Sequence, residues 1–261
     1  MAKLKSSKAK KAVKKRELGF YKIHLSAEKD DSLFSFEYNI LLKTAESVNN
    51  FNLLYKIIRR GSKGGPSTHY QQDLYRAMLI FACAGLDVFV KQLTKTKLSK
   101  LITVDKNAQE KFRNYVKNGI DKKSPEKILN TVALALIDQN PREIFLKEYL
   151  SSMTKDSLQS VGQLCMVSDA SGLSTNKIFT ADRMNALKDA FTVRNQIIHE
   201  MDINTSDNLL KTRGYRTRRQ RISPTMEKHT KVILDLAQDL FIAYKNKFEE
   251  FKIETEKGSK S

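Results

Sequence analysis

LIFACAGLDVFVKQL, residues 79–93, is apolar on almost every side of a helical wheel. Asp87 is the one charge between Arg76 and Lys91. A helix that is apolar all round must be covered all round, so this segment reads as the central helix of a bundle. Its longest uninterrupted apolar run, Ala77 to Leu86, has 10 residues. That is too short to cross a bilayer and fits a core helix, so no membrane partner is expected. With two cysteines and no disulfide framework, a reducing, cytoplasmic setting is the default.

The segments on either side supply helices to cover it. Upstream, Phe34, Leu41, Val48 and Tyr55 repeat by sevens, with Tyr38 and Ala45 between them, which predicts a helix from about Ser32 to Ile58. Gly61 to Pro66 stops it, and the central helix starts near Thr68. Downstream, helices are expected at about 106–118, 125–138, 142–153 and 156–168, with Pro125 and Pro141 in first-turn positions. Ala170 to Lys177 reads as a loop. Thr180 is a good N-cap for a helix reaching about Met201, with Asp182 in its first turn. A polar connection over 203–223 leads to a last helix from Pro224, striped by Met226, Ile233, Leu236, Leu240, Tyr244, Phe248 and Phe251.

Strand-like alternation occurs only at Tyr21, Ile23 and Leu25. The fold class is therefore all-α, a bundle of about seven to eight helices. Residues 1–16 read as a basic disordered tail, 17–252 as a single helical domain and 253–261 as a disordered C-terminus.

The net charge is +18, and its placement matters more than its size. Residues 1–16 hold eight Lys/Arg and no acid, and Lys211 to Arg221 hold six and no acid, so the remainder carries only +4. Such appendages attract polyanions by counterion release. The tail also fits a lysine-rich solubilising leader or an anionic membrane surface. The internal stretch, with Lys211, Arg213, Arg216, Arg218, Arg219 and Arg221 around Tyr215, suits RNA phosphates and bases better, and it is expected to be mobile without ligand. Two cysteines, Cys83 and Cys165, give no disulfide framework, and Cys83 reads as a buried thiol.

One segment carries recognisable chemistry: RNQIIHE, residues 194–200. On an ideal wheel Met184, Leu187, Phe191, Ile198 and Met201 form an apolar stripe, and Arg194 falls on it. His199 lies about 140° away, with Asn195 one turn before it. A guanidinium on a packing face is costly unless paired or snorkelling. Asp87 is equally out of place on its helix, and its partner is either Arg194 or Lys91 one turn on. His24, His69 and His229 lack metal-ligand spacing, Gly61 to Gly65 lack the order of a phosphate-binding loop, and no carboxylate cluster suggests a two-metal nuclease. No metal and no cofactor are expected.

The segment 194–200 resembles the Arg-x(4–6)-His signature of the HEPN superfamily, in which Asn often follows the Arg late in a helix. Residues 79–93 resemble the earlier core helix of RiboL-PSP-type HEPN proteins. The resemblance implies a HEPN-like helical core and metal-independent RNA cleavage at the two-fold axis of a homodimer. It implies Arg194, Asn195 and His199 as the catalytic set, and 2′,3′-cyclic phosphate and 5′-OH ends as products. Asp87 joins the set as the carboxylate that would support Arg194. It also implies a toxin or effector of antiviral or abortive-infection defence, with an antitoxin or other defence partner. The competing readings are a non-catalytic HEPN module that binds RNA or dimerises, and a basic helical adaptor for DNA or membrane.

Overall fold

The computed structural model describes residues 20–23, 33–61, 65–121, 125–173, 175–203 and 218–258. The expected tail over residues 1–16 and the cations Lys211, Arg213 and Arg216 lie outside these residues.

Helix α1 (Ser35–Arg60) buries Leu41, Ala45 and Val48, the stripe expected from the sevenfold repeat. Helix α2 (His69–Leu93) is the central element. Thr68 opens it with a capping box, in which the Gln71 N–H donates to Thr68 Oγ1 and the Thr68 N–H donates back to Gln71 Oε1 at 2.9 Å. Tyr75, Met78, Leu79, Ala82, Cys83 and Phe89 are all sealed from solvent. Gly85 lets α1 approach: a Cβ built there would stand 2.8 Å from Thr44 Cβ and closer still to its Oγ1.

The central helix does not stop at Leu93. It passes through a π-turn at Thr94–Leu98 into α3 (Ser99–Val104). The widened turn carries a polar cluster that composition does not reveal. Lys97 is buried, pairs with Glu37 of α1 at 3.0 Å and lies 4.7 Å above the Phe34 ring. The continuous stretch His69–Val104 contains an 18-residue window of mean hydropathy 1.5, long and apolar enough to cross a membrane, and half of that window is buried inside the bundle. The uninterrupted run of ten residues understates this helix, because Asp87 ends the run and apolar residues resume beyond it at Val88 to Val90.

Helices α4 (Lys106–Asp121), α5 (Pro125–Ile137) and α6 (Pro141–Thr154) follow, the last two opened by the expected prolines. Helix α7 (Val161–Ala170) starts later than expected, because Ser160 rather than an earlier residue caps it. A short α8 (Thr175–Ile178) falls in what reads as a loop. Helix α9 (Ala181–His199) begins at Thr180 as expected, the Arg183 N–H donating to its hydroxyl. Helix α10 (Ser223–Gly258) buries Met226, Ile233, Leu236, Leu240 and Tyr244 on the expected stripe and extends to Gly258.

α2 packs along its length on α1, α10 and α9, so the core is one continuous cluster around it. The fold is all-α. The alternation at Tyr21 produces no strand among the described residues. Instead the Asn49 carboxamide of α1 bonds both backbone groups of Tyr21 at 2.8 Å, doing with a side chain what a neighbouring strand would do. Among the described residues an isolated bridge pairs Ile203 with Arg218.

Candidate functional site

Helix α9 uses its apolar side for the bundle. Leu187, Ala190, Phe191 and Ile197 are buried against α2 and α10. The expected stripe therefore holds through Phe191 and then turns: Ile197 goes inward, while Ile198 and Met201 stay 38% and 67% exposed. Arg194 is half-buried between these two regimes, and Asn195 and His199 are exposed.

The Arg194 Nη1 donates to Asn195 Oδ1 at 2.9 Å, so the guanidinium bends toward the side of the helix that carries His199. Its charge also reaches α2. Burial pushes the Cys83 thiol up to about 12, and the Arg194 charge opposes that rise. Cys83 is the buried free thiol the sequence suggests.

Arg194 has no carboxylate partner among the described residues. Its neighbours differ. Arg183 pairs with Asp239 at 2.6 Å, Arg218 with Asp73 at 2.8 Å and Arg219 with Glu200 at 2.7 Å. Arg76 Nε lies 2.7 Å from Asp202 Oδ2, and Arg221 forks onto both oxygens of the same carboxylate.

Of the two partners open to Asp87, the structure has Lys91, at 3.0 Å; the carboxylate also accepts the Leu158 N–H at 2.6 Å and so does not support Arg194 as the catalytic set expected. A carboxylate one helical turn from a lysine is satisfied locally, and its other oxygen fixes the approach to α7. Arg218, Arg219 and Arg221 are not free cations of a mobile segment. Each is bound to an acid of the bundle, and Arg221 donates in addition to Gln196 Oε1 at 2.8 Å. Charge in the sequence counts their lysine-like attraction to polyanions but not the acids folded against them.

The residue that organises this region is Asp202, fully buried. Met201 and Asp202 have φ of 52° and 56°, left-handed geometry that side chains disfavour. It is held by the Asp202 N–H donating to Gln196 O at 2.9 Å, the Arg219 N–H donating to Asp202 O at 2.7 Å and the two guanidinium groups. Burial alone would raise the Asp202 carboxyl, but the hydrogen bonds and charges of Arg221 and Arg76 hold it below the usual carboxylate range. Gln72 joins the same network by accepting the Arg221 N–H at 2.9 Å. Thus the chain leaving α9 is tied, three residues after His199, to the start of α2 and the entry to α10. A charge at the rim of the apolar helix, Arg76, was the available sequence signal. Its partner, 126 positions away, was not legible.

Among the described residues no group of three or more His, Cys, Asp or Glu could hold a metal ion. A family model described as RiboL-PSP-HEPN matches residues 42–217, a span that contains both α2 and α9. No curated protein and no solved structure matches the chain.

Proposed function

We propose that this chain, which belongs to the RiboL-PSP-HEPN family, is a metal-independent endoribonuclease whose site is Arg194, Asn195 and His199. The family suggests nuclease or RNA-binding function, and an intact Arg194–His199 pair favours the first. The observation that carries the proposal is the Arg194 guanidinium: it is held by Asn195 beside an exposed His199 and has no acid against it among the described residues, while Arg76, Arg183, Arg218 and Arg219 each have one. An unpaired cation at a surface is a place for an anion.

The chemistry follows from the substrate. RNA carries its own nucleophile in the 2′-OH. His199 takes that proton, since histidine is the side chain suited to proton exchange near neutral pH. The 2′-oxygen attacks the adjacent phosphorus and the bond to the 5′-oxygen breaks. That oxygen is protonated to a 5′-OH, leaving a 2′,3′-cyclic phosphate. Arg194 holds the charge on the phosphorane oxygens, and Asn195 keeps Arg194 aimed.

A second copy of the chain completes the reading. α2 leaves Phe81 47% and Val88 53% exposed, seven residues apart on one face, and Ile198 and Met201 of α9 are exposed beside the motif. We place the homodimer contact on these side chains, since the rest of the α9 stripe is spent inside the monomer. The resemblance that carries the residues also carries the setting, a toxin or effector of antiviral defence restrained by a partner.

The test is to incubate the pure protein with total RNA in EDTA and to label 2′,3′-cyclic phosphate ends. Arg194→Ala and His199→Ala should each lose cleavage by at least about 100-fold, the scale of a lost acid–base or charge-stabilising group. Their melting temperatures should stay within about 2 °C of the parent, because neither side chain is in the core. Cleavage by both variants at the parent rate overturns the assignment. RNA binding without cleavage by the parent chain establishes the non-catalytic module instead.

A further inference from the structure

The motif helix has a second polar face. Between α9 and the first turns of α10 lies an open cleft of about 530 Å³, within the size range of sites that take a small ligand. On α9, Thr192 and Gln196 line it, and with His199 they form a row at spacings of four and three, so the cleft opens one helical turn from the motif histidine. The facing wall is Pro224, Thr225, Lys228 and His229.

His229 is 8% exposed, lines the cleft and makes no hydrogen bond among the described residues. Its ring nitrogens are not among the sealed polar atoms of the fold, so what bonds them must enter through the open cleft, as water or as a ligand. Burial lowers its pKa; Asp189 opposes this, and Arg221 and Lys228 add to it. The ring is thus neutral at neutral pH and offers one donor and one acceptor. Gln196 Oε1 is already taken by Arg221, which leaves its amide NH₂ for a ligand.

We propose that this cleft is a nucleoside-binding subsite that seats one base of the RNA beside the phosphate held at Arg194 and His199. The proposal rests on the ribonuclease reading. A base fits better than a phosphate. Asp189 on the rim would repel an anion, and its charge balances that of Lys228. The Pro224 ring and Val193 offer apolar contact to a planar face, and Thr192, Gln196 and His229 offer donors and acceptors to its edge.

The test uses the full chain and the four free ribonucleosides, which carry no phosphate to compete at Arg194. The ring C–H resonances of the four histidines are followed by NMR, assigned by single His→Gln substitutions. At least one nucleoside should move the His229 signal saturably. Thr192→Trp, at an exposed position that fills the cleft from the helix surface, should keep the fold and weaken that response at least about tenfold, a loss of about 1.4 kcal/mol. Sequenced RNA ends should show a base preference at one position beside the cut, flattened in Thr192→Trp. If nucleosides move His229 but RNA is not cut, the cleft stands and the ribonuclease reading fails. If RNA is cut with no base preference and all four nucleosides leave His229 unmoved, the subsite is overturned.

Discussion

Asp202 shows what a single residue can decide here. It is buried, sits in left-handed backbone and holds two arginines from distant parts of the chain. Removing one partner of a buried ion pair leaves the other charge uncompensated. Asp202→Asn should therefore cost about 3 kcal/mol in urea unfolding, with Arg76 left short of its counter-charge. The pH dependence has a definite sign. The folded carboxyl lies below its unfolded value of about 3.9, so its contribution is complete above that value and is lost as pH falls toward the lower folded one. Acid titration of the melting temperature below about pH 4 should be steeper for the parent than for Asp202→Asn. Parallel acid curves would show that the carboxylate does not carry this stability. The same network changes the meaning of Arg221: its substitution should lower stability before it lowers RNA affinity, because its donors are engaged inside the protein.

At the scale of elements, the contact of α1 with α2 depends on an absent side chain. Gly85 in the middle of a helix forgoes about 1 kcal/mol of propensity relative to Ala, and the gain is the close approach of Thr44. Gly85→Ala should recover the propensity and lose more to overpacking, for a net destabilisation of about 1–2 kcal/mol. Thermal unfolding of Gly85→Ala alone and combined with Thr44→Ala checks this: the second change should restore part of the loss, since it removes the atoms the new Cβ meets. No recovery in the double variant would place the strain elsewhere. The helix ends were the other element-scale uncertainty. Caps with a local signature, Thr68, Ser160 and Thr180, are real. The passage from α2 through the π-turn into α3 has no such signature, because the Glu37–Lys97 pair that accompanies it comes from another helix.

For the whole molecule, the question is which surfaces remain open once the bundle is formed. The packing leaves the motif residues and the cleft beside α10 open on α9, and the Phe81–Val88 row open on α2. Val88→Lys places a charge on the proposed dimer face without touching the core, since Val88 is half exposed. Sedimentation at micromolar concentration should find the parent dimeric and Val88→Lys monomeric at an unchanged melting temperature. RNA cleavage should fall with the dimer if each site draws on both chains. A parent that sediments as a monomer while cleaving RNA would remove the dimer from the proposal. The net positive charge also needs a new allocation. Arg218, Arg219 and Arg221 are paired with Asp73, Glu200 and Asp202, two of which also hold Arg76, so these three do not supply a free cationic arm.

The sequence by itself determined the helical class, the central position of residues 79–93, the stripe of α10 and the position of Arg194, Asn195 and His199 late in a capped helix. These follow from periodicities of three to seven residues, and local chain geometry fixes which side chains share a face. The tertiary structure alone decided which charges are free. Asp87 went to Lys91, Arg76 and Arg221 to Asp202, and Arg194 to no carboxylate among the described residues. Pairing depends on distances between segments far apart in the chain, and a guanidinium looks the same in a sequence whether an acid 126 positions away neutralises it or nothing does.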